Sequence, residues 1–333
     1  GDLNLSGLKI EGTVHFNHTL FRNSVNFKSS TFNGTAYFSE VKFNDTANFR
    51  DAIFNNNAYF DRSTFNGIAN FGDVVLNGTV DFSSSVFTGN VDFRGAKFND
   101  IAGFSGVTFT GYIDFGGAQF KGYTTFFGTE FNRYSRFKVA LFYDDVAFSS
   151  SQFNGTAEFS SSQFSRSAYF NRVKFNGDAY FVESKLIDAD FSYSQFNGTA
   201  QFSNSQFNGV TDFKESQFIG DAYLINLQFN KKVFFVGSNW SKDSYFSDSK
   251  FNDADFNRSR FDGNASFYNS SFTNYTIFTN SQFNKSADFT RSQHSDLATF
   301  EGSIFDGTAD FSVSEFNGTA DFYNSTFKNK IAL

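Results

Sequence analysis

Large apolar residues recur on a fixed beat along the chain. Between Phe32 and Phe54, Phe falls at positions 32, 38, 43, 49 and 54, so steps of six and five alternate within an 11-residue period. From Leu5 to Phe327 the walk passes 60 slots, and 53 of them hold Phe. The exceptions are Leu5, Ile10, Leu76, Leu186, Leu224, Trp240 and His294, while only Phe127 and Phe234 lie off the beat. Two residues before each slot stands a small residue, as in Ala36, Val41, Ala47, Ala52, Ala58 and Ser63. A spacing of two places both side chains on one face of a strand, and the residue between them points outward. Alternating steps of five and six do not hold one face of a helix at 3.6 residues per turn. The pattern therefore predicts very short strands separated by corners such as Asn33-Gly34. Asn and Gly tolerate the left-handed backbone that a tight corner requires.

No linker or shift of composition interrupts this beat, so residues 1–333 are expected to form one continuous solenoid without evident caps. The unit resembles the pentapeptide-repeat family, whose consensus is a small residue, Asp or Asn, Leu or Phe, then two polar residues. Ala309-Asp310-Phe311-Ser312-Val313, Ala320-Asp321-Phe322-Tyr323-Asn324 and Ala189-Asp190-Phe191-Ser192-Tyr193 fit it directly. The resemblance covers essentially the whole chain. It implies an all-β fold, a right-handed quadrilateral parallel β-helix with four strand-and-corner faces per coil. Two features depart from the family. Phe replaces Leu, and nearly every second unit has a sixth residue, read as a removable corner insertion. Strict steps of five return at Phe181, Leu186, Phe191, Phe196 and at Phe246, Phe251, Phe256, Phe261. Four slots per coil give about 15 coils of about 22 residues. An 11-residue coil, with two inward residues per layer in a flat tube, is the rival geometry.

On this reading Phe38, Phe43, Phe49, Phe54 and Phe60 belong to stacked core ladders, and Trp240 and His294 replace Phe within them. A buried neutral His needs a hydrogen-bond partner, and Ser292 is near in sequence. The absence of Pro follows from the demand that every coil donate N–H groups to its neighbours.

Composition narrows the chemistry. The chain has no Cys and three His (His15, His18 and His294). This removes disulfides and thiolate sites, and it argues against a multi-His metal centre or a His-based triad. Acidic and basic residues are interspersed, with a net charge of -7, and no basic stripe for nucleic acid stands out. No apolar run is long enough to span a membrane as a helix. Nucleophile elbows, phosphate loops and zinc spacings are missing, so the expectation is a protein that is not an enzyme and needs no cofactor. Outward Asp at 81, 92, 114, 310 and 321 is expected to solubilise the surface. The chain starts at Gly1 without Met, which is expected to reflect processing or trimming.

The surface carries three further patterns. Asn-x-Ser/Thr sequons recur, among them Asn33, Asn77, Asn154, Asn197 and Asn317, and are candidate N-glycosylation sites in a secreted chain. Tyr37 and Tyr59, like Tyr223 and Tyr245, lie 22 residues apart. In 22-residue coils each pair stacks on one face and offers a lateral contact surface. Leu5, Phe327 and Leu333 keep the beat to the ends, so end-to-end stacking and a trimmed fragment are both open readings. Phe- and Asn-rich pentapeptide-repeat proteins of methanogenic archaea are similar. That likeness implies an extracellular, cell-surface glycoprotein that self-assembles into a sheath, surface layer or fibre. The implied partner is the chain itself, with cell-wall or glycan components as others. A surface adhesin, and a DNA-mimicking topoisomerase binder of the kind the family also contains, are the alternatives.

Overall fold

A computed structural model describes residues 1–333 and resolves two compact units, Gly1–Tyr169 and Phe170–Leu333. Both are built only from short parallel strands, and there are about 15 turns in all. In the first unit the strands fall on four faces in rotation. Face I contains Val25–Asn26 and Ala47–Asn48; face II, Thr31–Phe32 and Ile53–Phe54; face III, Ala36–Tyr37 and Ala58–Tyr59; face IV, Lys42–Phe43 and Thr64–Phe65. Each strand pairs with the one a full coil later, so Phe32 aligns with Phe54 and Phe43 with Phe65. The coil is thus 22 residues long, and the 11-residue alternative is excluded. The second unit repeats the rotation, with Tyr223 aligned to Tyr245 on face I and Phe218 to Trp240 on face IV. Strict steps of five shorten the coil by one residue, as Lys174 pairs with Gln195 and Asn239 with Arg260. The sixth residue is therefore a removable corner insertion.

The core follows from the side-chain alternation. Phe38, Phe43, Phe49, Phe54 and Phe60 are fully buried. Phe38 stacks on Phe60 with centroids 4.8 Å apart and planes within 5°, while Phe38 meets Phe49 edge-on at 5.5 Å and 89°. The same alternation of stacked and edge contacts fills the second unit, for example Phe246–Phe267 at 4.7 Å and Phe246–Phe256 at 5.4 Å. Offset-stacked and T-shaped pairs are the arrangements that ring quadrupoles favour.

Two kinds of corner alternate, and they correct one expectation. Left-handed backbone is not found at Asn-Gly. It recurs in the five-residue units, at Glu40 (φ 57), Asp51 (φ 58), Arg62 (φ 53), Val139 (φ 60) and their equivalents. There the N–H of Ala52 donates to the carbonyl of Phe49 at 3.0 Å, with Asp51 left-handed at the third position. This is a type II turn, which requires positive φ at that position. The wide six-residue corners need glycine for another reason. A Cβ on Gly67 would lie 2.5 Å from the Asp45 carbonyl carbon of the preceding coil, and one on Gly198 would lie 2.6 Å from that of Gly177. These glycines allow coils to approach each other and do not supply a left-handed residue.

Candidate functional surfaces

Side chains at each corner tie one coil to the next. At tight corners the buried Ser63 hydroxyl donates to the Phe38 carbonyl at 2.6 Å and accepts from the Val41 N–H at 3.0 Å. Outward Asp on faces I and III accepts the N–H two residues on. Asp81 takes that of Ser83 at 2.8 Å and Asp92 that of Arg94 at 2.9 Å. The carboxylates at 114, 310 and 321 do the same. This row therefore caps the type II turns as well as facing solvent, a role that is visible only once the corner is known. Asn26, Asn48 and Asn70 perform it on the same face without charge.

At wide corners asparagines form ladders. Asn55 donates to Asn33 at 2.7 Å, Asn77 to Asn55 at 2.9 Å and Asn99 to Asn77 at 2.8 Å. Four of the sequon asparagines sit in such ladders. Asn33 donates to Glu11 at 2.6 Å, Asn77 to Asn55, Asn154 to Asn132 at 2.6 Å, and Asn197 to Asn176 at 2.7 Å. Asn317 shares the corner's backbone bond, its N–H donating to the His294 carbonyl at 2.8 Å, but its side chain joins no ladder.

The two tyrosine pairs stack on outer faces. Tyr37 and Tyr59 are 5.3 Å apart on face III of the first unit, and His15 continues the stack 4.8 Å from Tyr37. Tyr223 and Tyr245 are 5.1 Å apart on face I of the second unit. Burial and the neighbouring Asp243 carboxylate raise the Tyr245 phenol above its usual range. Charge ladders run beside these rows, with Arg62 on Glu40 at 3.2 Å and Arg136 on Asp114 at 3.2 Å. Burial pushes the Asp92 carboxyl up, but the hydrogen bonds from Arg94 and its positive charge together outweigh this and hold the carboxyl below its ordinary value.

Off-beat Phe234 points outward and is covered by Lys214 at 4.0 Å and Lys232 at 4.5 Å. Off-beat Phe127 is 54% exposed. Leu5 is half-buried, Phe327 stacks on Phe305 at 4.7 Å, and Leu333 is exposed.

Trp240 and His294 occupy core slots. Trp240 is fully buried, lies 3.9 Å from Phe218, and donates its indole N–H to Ser238 at 2.9 Å. His294 is sandwiched between Phe272 and Phe316, each 4.7 Å away. Its Nε2 meets the Ser292 hydroxyl at 3.1 Å and its Nδ1 the Thr276 hydroxyl at 3.3 Å. Burial pulls its pKa down to about 4. Thr276 lies on the next face in the coil of Phe272, 18 residues before the imidazole, so sequence proximity points to Ser292 and not to the second partner. No group of three or more His, Asp or Glu side chains converges as a metal site.

Short parallel strands on four sides, two tight and two wide corners, and a Phe-filled interior define a four-sided parallel β-solenoid. The pentapeptide-repeat model matches nine times, over residues 6–53, 16–64, 38–86, 82–130, 137–185, 159–200, 191–239, 225–271 and 246–293. The chain belongs to the pentapeptide-repeat family. Among solved structures it is similar to HetL, a pentapeptide-repeat protein involved in heterocyst differentiation regulation in the cyanobacterium Nostoc sp. strain PCC 7120. That match has 9% identity over 91% of this chain and 92% of the other, with a TM-score of 0.15. No curated protein matches the chain.

Proposed function

We propose that this is a non-catalytic structural protein of the cell surface, whose solenoid faces pack side by side into a sheath, layer or fibre. The observation that carries this reading is that outward strand positions align in register from coil to coil and can stack aromatic side chains, as in the pairs Tyr37–Tyr59 and Tyr223–Tyr245. A contact made by one coil can be repeated by the next at the strand spacing of about 4.8 Å, so a weak contact is multiplied along a face. Tyr presents a large apolar ring with a polar tip and is enriched in protein interfaces. Electron microscopy of native, unheated material tests the proposal. Ordered sheets, tubes or fibres are expected, and dispersed particles at high concentration would refute it.

A shallow depression of about 460 Å³ supports a second reading, an adhesin that binds glycans. Tyr112, Tyr134, Asn132 and Arg133 line it, combining aromatic faces with hydrogen-bonding groups. Glycan-array binding that is lost in Tyr112→Ala would favour it, and a blank array would refute it.

A further inference from the structure

Corner type sorts the charges on the solenoid's sides. On faces I and III the outward strand residue can cap a type II turn, and Asp does so wherever it stands at 81, 92, 114, 190, 288, 310 or 321. In the second unit these rows carry Asp190, Asp212, Asp255, Asp288, Asp310 and Asp321, and no Lys or Arg. Faces II and IV lead into wide corners and offer no such bond. Their rows in the same unit carry Lys174, Lys185, Lys250 and Arg260 against a single acid, Glu315, with Gln between them. Acidic and basic outward strand rows therefore alternate around the unit, with Asp262 and Asp306 standing at the wide corners beside the face IV row, in a chain where acids outnumber bases 34 to 27.

The charges are also available. Asp190, Asp288, Asp310 and Asp321 each use one carboxylate oxygen on a backbone N–H at 2.9 Å. The second oxygen of Asp288 accepts from the Ser266 hydroxyl at 3.4 Å, while that of Asp190 and Asp321 makes no further hydrogen bond within the chain. Lys174, Lys185 and Lys250 are exposed, and unlike Arg260, which is tied to Asp262 at 2.7 Å, they have no carboxylate partner within the chain. Asp212 and Asp255 are partly matched by Lys214 and Lys232.

We propose that the occupant of these sides is a second copy of the chain, docked with an acidic side (I or III) against a basic side (II or IV). A side meets its own kind only with like charges facing, which disfavours that register. The pairing is heterologous and leaves further acidic and basic sides open, so it propagates to form a lateral array. This inference rests on the side-by-side packing proposed above and adds the faces and the force that select it.

Sedimentation of the full chain across salt concentration, with two variants, tests it. Lys174→Glu/Lys185→Glu/Lys250→Glu removes the basic sides at exposed positions. Asp190→Asn/Asp288→Asn/Asp310→Asn/Asp321→Asn keeps each turn cap, as Asn26 and Asn48 already do, and removes the acidic charge. Wild type is expected to associate at least about tenfold less tightly at roughly 0.5 M salt than at roughly 20 mM, because the Debye length falls well below 10 Å. Each variant is expected to remain dispersed alone. The Lys→Glu variant, still acidic, is expected to co-assemble with wild type. Assembly that ignores both salt and the variants would overturn the charge inference while sparing lateral packing. No association under any condition would overturn both.

Discussion

His294 makes a sharp test of the core description. It is the one titratable side chain stacked in a Phe ladder, 1% exposed, with Phe272 on one side and Phe316 on the other. Its environment offers hydroxyls and no carboxylate at hydrogen-bonding distance, so nothing offsets the cost of burying a charge. Above pH 6.5 the imidazole is neutral in both folded and unfolded chains, and its contribution is intact. Between pH 6.5 and about 4 the unfolded chain takes up a proton that the folded chain refuses, so stability falls with pH. At 1.36 kcal/mol per unit, this window costs about 3 kcal/mol. Below about pH 4 both states are protonated, and the loss stops growing. His294→Phe restores the ladder residue and abolishes the titration. Ser292, freed of the ring, keeps Ser314 within 3.2 Å. The assay is denaturant unfolding of both proteins from pH 7.5 to pH 4, followed through the fluorescence of Trp240, the single Trp, which lies in the same unit. Subtraction removes every carboxylate that titrates in common. The stability difference, variant minus wild type, is expected to grow toward acid by about 3 kcal/mol. A difference that stays flat across this range would refute the buried, neutral His294.

Other expectations rest on the corners and the remaining odd core residue. Val139 is β-branched at φ 60 and 48% exposed, so Val139→Gly should relieve strain and stabilise by about 1 kcal/mol in denaturant titration. Asp81→Ala should cost about 1 kcal/mol by uncapping the Ser83 N–H, while Asp81→Asn, which retains the acceptor, should cost little. Trp240→Phe should lose about 1–3 kcal/mol through the vacated volume and the lost Ser238 bond, read by circular dichroism melting.

Some of this architecture was legible in the sequence because one residue type marks one structural position. Phe on an alternating beat announces an inward slot, and a small residue two before it announces the same face. The five-residue steps around Leu186 and Phe251 mark the removable sixth residue, and the paired register there is one residue shorter. Coil length was harder, because an 11-residue period is compatible with one or two repeats per turn. Tyr37 and Tyr59 could stack only in the longer coil, and the paired register resolves the choice.

Left-handed residues could not be located by composition. The type II corner leaves the side chain at its third position in solvent, so Glu40, Arg62, Ser84 and Val139 all occupy it and no residue type labels it. The conspicuous Asn-Gly pairs mark the wide corner, where glycine answers to the backbone of the neighbouring coil. Coil contacts and surface chemistry are consequently linked. A tight corner leaves an N–H that an Asp or Asn on the preceding strand can cap, as Asp81 and Asn48 do, and a wide corner offers no such bond. Turn capping thus accounts for the carboxylates in the outward rows of two opposite sides, as Asp190 and Asp310 show. Lys174, Lys185 and Lys250 cap no such turn. Their placement on the other two sides is the part of the surface that folding does not explain, and it is where selection for contact between copies would act.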